Sequence, residues 1–261
     1  MDWNTVKLEG QGAVRELVLN RPQVRNAVNT QLLRDLNAAC THLDTQPDCR
    51  VVILRGEGPT FCAGADLKEG RSHQGALRDV VGRGRLGSRA VDALGRLAPI
   101  TIAAMHGHAI GGGACLGAAC DFRIGAQGAQ VSVREVSLGL SLSWQSIPNF
   151  VHLVGPARAK EMILFGEMYD AARMLAYGYF NDVVPEQDLL PAAHRLAAKV
   201  LRQPPLPVEM TKASINAIVH ALDRAVFHLD EYGIGLSGRT QDAAQAAHAF
   251  FGGEPSEWQH E

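Results

Sequence analysis

Two short stretches of this 261-residue sequence leave backbone amides uncovered where an oxygen with developing negative charge could dock. The first, Phe61 to Glu69, reads FCAGADLKE, and its small residues at 63, 64 and 65 let the main chain approach a ligand closely. The second, His106 to Asp121, reads HGHAIGGGACLGAACD, in which three glycines lead into a small-residue helix. First-turn amides lack an intrahelical acceptor and lie at the positive end of the helix dipole. Such a place suits an oxyanion, and equally a phosphate. A glycine cluster taken alone also marks a tight turn or close helix packing. Neither stretch has the GxxxxGKS/T form of a P-loop or a GxGxxG followed by a ribose-binding acid, so nucleotide folds find little support.

A group to move protons is the second requirement. In VSVREVSLGL, residues 131 to 140, apolar positions fall at 131 and 133 and then at 136, 138, 140 and 142. The alternation changes phase across Arg134 and Glu135, which can turn a carboxylate inward. On these residues alone, Glu135 reads more simply as a solvated partner of Arg134. Cys115, near the start of the small-residue helix, is either a packing residue or a thiol whose pKa the helix terminus lowers. His106 and His108 flank the glycine loop and fit structural roles.

The elements that must position these groups alternate. Ala13 to Leu19 predicts an early strand, ended by Asn20-Arg21-Pro22. Asn29-Thr30 caps a helix running to about Leu43, with Leu32, Leu33, Leu36, Ala39 and Leu43 at helical spacing. Val51 to Leu54 and Ile100 to Ala104 are apolar runs of the kind buried on both faces, and a glycine-bearing loop follows each. Gly70 to Arg96, with GRGRLGSR at 82 to 89, predicts a mobile or irregular wall whose arginines could meet a ligand phosphate. From Ala157 onward the spacing is helical, interrupted by Gly178, Pro185 and Gln203-Pro204-Pro205. The fold class is α/β, one layered unit with a helical tail and no evident linker or repeat.

Composition excludes other classes. Lys plus Arg number 25 against 27 for Asp plus Glu, a balance that argues against a nucleic-acid partner. No apolar run approaches the roughly 18 residues of a membrane span, and MDWNTVKLEG lacks the regions of a signal peptide, so no membrane partner and a cytoplasmic location are expected. The five cysteines are odd in number and form no CxxC pair, which favours reduced thiols over disulfides or zinc; no metal is expected.

Together the two glycine loops, preceded by LNRPQVRNAVN, resemble the enoyl-CoA hydratase/isomerase family, the crotonases. The likeness continues through REVSLGL, LVGPARAKEMILFGEMYDAARMLAYGYFNDVVPEQDL and TKASIN, and so covers about the whole chain. It implies a crotonase-like spiral of ββα units over residues 1–200 and a C-terminal helical oligomerisation region over 201–261, assembled as a homotrimer or hexamer. The ligand implied is an acyl-CoA substrate, with no cofactor besides that thioester. It further implies an oxyanion hole made by the amides of Ala65 and Gly112, and CoA contacts from Val24, Arg25, Ala27, Ala63, Asp66, Leu67 and Lys68. The family's basic C-terminal stretch is missing, since the tail reads AFFGGEPSEWQHE.

Hydratases of this family use two glutamates. Here Cys115 fills the first position and Glu135 the second, which resembles the single-glutamate Δ3,Δ2-enoyl-CoA isomerases. Where hydratases carry a PGxGG turn this chain reads SLSWQSIPN, and Trp144 matches an aromatic position of some isomerases. The resemblance thus implies double-bond isomerisation with Glu135 as acid and base. Hydration, decarboxylation or C–C cleavage by the same scaffold, and a non-catalytic CoA-binding role, stay open at this point.

Overall fold

The computed structural model of the protein describes residues 3–70, 77–252 and 258–259. Among these residues nine strands form two sheets. The larger orders as β1 (Val6–Glu9), β2 (Val14–Leu19), β3 (Val51–Gly56), β4 (Ile100–Met105), β6 (Phe122–Ala126) and β9 (Asp182–Val184). Only the β1 and β2 pairing is antiparallel; every later neighbour is parallel. The smaller sheet holds β5 (His108–Ile110), β7 (Gln130–Ser132) and β8 (Tyr169–Asp170). Val51 to Leu54 and all of β4 are buried, as a parallel sheet covered on both faces requires. Strands β1, β5, β6, β8 and β9 are additions to the sequence reading.

Eleven α-helices complete the described chain: α1 (Thr30–Asp44), α2 (Leu67–Gly70), α3 (Leu77–Gly95), α4 (Gly112–Ala119), α5 (Ser146–Val154), α6 (Pro156–Phe165), α7 (Ala171–Tyr177), α8 (Leu189–Leu201), α9 (Pro205–Val219), α10 (Arg224–Ser237) and α11 (Gln241–Gly252). Helix α1 begins where the cap predicts, with the Asn29 side chain accepting from Leu32 N at 2.9 Å, and it buries the five apolar residues named above.

The wall expected to be irregular is instead the 19-residue helix α3, preceded by residues 71–76, which lie outside the described residues. Buried positions recur at Val81, Gly84, Gly87, Ser88, Val91 and Leu94, the spacing of one helical face. Two of its glycines are contact points: Gly84 lies against Ile234 of α10 and Gly87 against Trp144. Low intrinsic propensity is overridden because removing a side chain there lets neighbours close in. Among its arginines, Arg83 buries Nη2 with no partner among the described residues.

The tail packs by anchors rather than by a broad core. Lys212 of α9 is buried, with Nζ donating to Pro99 O at 2.8 Å and to Asp121 Oδ2 at 2.7 Å. Helices α9 and α10 and the turn between them leave Leu206, Met210, Ile218, Leu222, Leu229 and Leu236 exposed. No described helix is long and apolar enough to cross a membrane.

Candidate active site

Helix α4 emerges from β5 with its N-terminus uncapped by any side chain and its C-terminus held from behind. Arg123, 2% exposed, donates to Tyr179 O at 2.6 Å and to Cys120 O at 2.5 Å, so a cation sits where the helix carbonyls end. The Tyr179 hydroxyl donates to Ala114 O at 2.9 Å. These contacts fix the helix while its first-turn amides stay available.

The two glycine loops lie side by side. Cys62 N donates to His108 O at 2.9 Å and Ile110 N returns to Cys62 O at 3.0 Å, closing a bridge between Cys62 and Ala109. Ala65 stands three residues beyond that bridge on one strand of the pair and Gly112 three beyond on the other. Gly64 makes the turn before Ala65 with φ +88°, and a Cβ there would fall 2.8 Å from Ile110 O, so only glycine fits. Among the described residues, neither the Ala65 nor the Gly112 amide donates a hydrogen bond.

Glu135 ends the run out of β7 and opens a 3₁₀ turn, Val136–Leu138. That turn replaces the continued strand the alternation suggested, and its bend is what aims the carboxylate inward. A Cβ at Gly111, φ +50°, would lie 2.5 Å from Glu135 Oε1, so the carboxylate rests directly on the glycine before the Gly112 amide. Oε2 is buried with no hydrogen-bond partner among the described residues. Desolvation pushes its pKa up to about 7, only partly offset by hydrogen bonds from nearby backbone. The solvated pairing with Arg134 that the local sequence favoured is therefore not what forms.

Trp144 occupies the facing side. Its indole is wedged between α3 and α4: an added Cβ at Gly87 would meet Nε1 at 2.1 Å, and one at Gly112 would meet the ring at 2.5 Å. Trp144 and Gln145 both adopt left-handed backbone, φ +64° and +56°, which side chains larger than glycine rarely take. Asp230 of α10, buried, holds the bend by accepting from Gln145 N.

Cys115 is buried within α4, and its thiol is pushed well above its ordinary pKa by desolvation, with the nearby charges of Glu135 and Asp230 adding to the shift. Of the two roles open to Cys115, the lowered thiol is not the one formed, because burial, with two carboxylates nearby, raises its pKa. Cys115 is a packing residue beside the carboxylate. His106 is likewise structural, with Nε2 2.7 Å from Gly58 O, and His108 lies within β5.

The residues expected to hold CoA lie on two segments tied together. Ala63 N donates to Arg25 O at 2.9 Å, Val28 N to Gly64 O at 2.7 Å, and Asp66 N to Val28 O at 2.9 Å. Asp66 is engaged by Arg21 at 2.9 Å and by Lys68 N at 3.1 Å, so its carboxylate serves the loop's shape. Val24 closes a 3₁₀ turn, Ala27 is half-buried, Arg25 and Lys68 are exposed, and Leu67 begins α2. Sequence reasoning passed over Asn26, which is wholly buried: its amide nitrogen donates to Glu57 O at 2.9 Å and Thr60 O at 2.8 Å, while Oδ1 accepts from Arg21 N. The signal for it lay in the LNRPQVRNAVN motif. Nothing in the sequence pointed to Asp230. A separate cleft of about 640 Å³, lined by Val136, Leu140, Leu164 and Trp258 among others, touches neither amide.

Solved structures share this architecture. An enoyl-CoA hydratase from Mycobacterium avium subsp. paratuberculosis superposes with TM-score 0.88 over 99% of this chain and 100% of that one, at 22% identity, which speaks for the fold. One from Bacillus anthracis does so with TM-score 0.79 at 30% identity, over 99% and 100%. The fold is that of the crotonases. The model of a family described as enoyl-CoA hydratase/isomerase matches residues 9–261, and the chain belongs to that family of enzymes. It is 31% identical to a crotonyl-CoA hydratase from Syntrophomonas wolfei over 254 residues, 96% of each chain. It is also 31% identical to a short-chain-enoyl-CoA hydratase from Clostridium acetobutylicum, over 96% of this chain and 95% of the relative.

Proposed function

We propose that the chain acts on an acyl-CoA thioester by forming an enolate, with the thioester oxygen received by the amides of Ala65 and Gly112 and the proton carried by Glu135. The observation behind this reading is the Glu135 carboxylate itself, lying against Gly111, unbonded at Oε2 and poised near pH 7. A base of that pKa is half-ionised near neutrality, where it can both take and return a proton. Each preorganised amide supplies about 3 to 4 kcal/mol to the oxyanion.

The transformation this site favours is double-bond isomerisation. Glu135 removes a proton from C2 of a 3-enoyl-CoA, the electron pair spreads through the dienolate, and the same carboxylic acid returns the proton to C4. Trp144 fills the volume beside Gly112 with an apolar ring, and Cys115 stands in place of a second carboxylate.

Hydration is the second reading, favoured by the hydratase names of the relatives and by Asp230. That buried carboxylate contributes to the field at Cys115, and it approaches the site from α10. The purified enzyme offered 3-enoyl-CoA and 2-enoyl-CoA separately decides between them. Isomerisation that survives Asp230→Asn and fails in Glu135→Gln supports the first reading; hydration without isomerisation, lost in both variants, replaces it with the second. The apolar residues exposed on α9 and α10 fit burial between copies of the chain, as the trimer or hexamer implied by the resemblance would provide.

A further inference from the structure

We propose that His152, His220 and Asp223 form a binding site for one divalent transition metal of the zinc class, outside the acyl-CoA site. His152 lies in the last turn of α5, His220 closes α9, and Asp223 stands three residues on, at the entrance to α10. His152 Nε2 is 2.9 Å from Asp223 Oδ1, and His220 Nδ1 is 2.6 Å from Oδ2. The two imidazoles meet edge to face with centroids 5.5 Å apart. One donor atom from each of the three side chains lies within 4.8 Å of the other two.

The donor set selects the ion. Two imidazole nitrogens and one carboxylate oxygen suit zinc, cobalt or nickel at about 2.0 to 2.2 Å, and small rotations of the two rings open the present hydrogen-bonded contacts to the donor separations of about 3.3 to 3.5 Å that those lengths require. Magnesium and calcium prefer all-oxygen shells and are poorly served here. The burial is graded in the way an accessible site needs: the Asp223 side chain is 7% exposed, while His152 and His220 are 33% and 44% exposed. The buried carboxylate forms the floor, and the open side leaves room for water as a fourth ligand and a route for the ion.

Position in the fold gives the ion a structural task. From Ser146 to His152 is six residues of α5, about 9 Å of helix, and from Asp223 to Asp230 is seven residues of α10, about 10 Å. Both helices therefore run from this cluster to the Trp144–Gln145 bend, one beginning right after it and the other supplying the Asp230 that holds it. A metal bridging His152 to His220 and Asp223 clamps the two helices together a short distance behind that bend. The proposal stands independently of the acyl-CoA reading, and its test does not use activity.

Untagged full-length protein, stripped with a chelator and dialysed, is titrated with zinc chloride by calorimetry. The expected result is one equivalent bound per chain with a Kd in the micromolar range or below, no saturable heat from magnesium chloride, and a higher Tm with zinc present. His152→Gln and His220→Gln, each checked for an unchanged circular dichroism spectrum, weaken zinc binding tenfold or more. Wild-type protein loaded with cobalt supplies a readout that no variant's folding can affect: nitrogen and oxygen ligation gives weak visible bands without a thiolate charge-transfer band. The absence of saturable zinc binding overturns the proposal. So does zinc binding that is unaltered in both folded variants, or a cobalt spectrum that reports thiolate ligation.

Discussion

The wall made by residues 21–28 and 61–66 is tied by main-chain hydrogen bonds, with Asn26 alone reaching three carbonyl groups, whereas the opposite wall rests on one indole and one carboxylate. The difference separates two tasks. A wall built from main-chain bonds holds an amide at fixed geometry whatever side chains it carries, which is what stabilising an oxyanion demands. A wall built from Trp144, set between Gly87 and Gly112, changes its shape with a single residue, which is what choice among acyl groups demands. Glu135 stands between them, positioned by its turn and tuned by burial.

The largest expected effect tests the group the two walls share. Glu135→Gln lowers turnover by about 10²- to 10⁴-fold, the range of a positioned acid–base group, measured as kcat on the preferred enoyl-CoA. The same variant is more stable at pH 8. The folded-state pKa of about 7 lies above the ordinary carboxylate value of 4.5, so the native state holds this proton more tightly than the unfolded chain. Stability is therefore lost as pH rises from about 4.5 to 7, in total on the order of 3 kcal/mol. Thermal unfolding of variant and wild type coincides near pH 4 and separates at pH 8, in favour of the variant. Unchanged stability at pH 8 would show Glu135 to be solvated.

A slightly smaller loss is expected from the main-chain wall. Gly64→Ala forces a Cβ against Ile110 O at positive φ and moves the Ala65 amide. kcat falls about 10²- to 10³-fold for every acyl group alike. A loss confined to some acyl groups would erase the contrast between the walls. Asn26→Ala probes the same wall through stability: three carbonyls lose their donor in a buried place, for about 2 to 4 kcal/mol by denaturant titration.

The opposite wall is expected to respond differently. Trp144→Ala opens space beside Gly112 and shifts kcat/KM toward bulkier acyl groups by about tenfold or more, while turnover of the original substrate changes less. Equal losses across a panel of acyl-CoA thioesters would mean that the indole positions the oxyanion hole. The smallest effect is the wild-type pH profile. kcat/KM rises with pH through about 7 and then levels, because Glu135 must be ionised to accept a proton.

Much of the first wall was legible in advance. The Asn29 cap, the strands at 51 and 100, the glycine loops and the start of α4 each depend on residues close in sequence, and local spacing carries that information. One misreading and one open choice have a common cause. The glycines of 82–89 read as a mobile or irregular wall because their use is to admit Ile234 and Trp144, and the two roles open to Cys115 could not be separated because the carboxylates beside it come from distant segments.

The sequence by itself marked the glycine loops where backbone amides could lie bare, since their spacing is written in neighbouring residues, and its resemblance to a family singled out the carboxylate that could serve them. Only the tertiary structure decided that Glu135 is desolvated, that Trp144 roofs Gly112, and that Asp230 and the His152, His220 and Asp223 cluster assemble at all. Trp144 and Gly112 are 32 residues apart, His152 and Asp223 71, and Gln145 and Asp230 85. Desolvation and ion pairing depend on what surrounds a group in space, and helix packing alone supplies those surroundings.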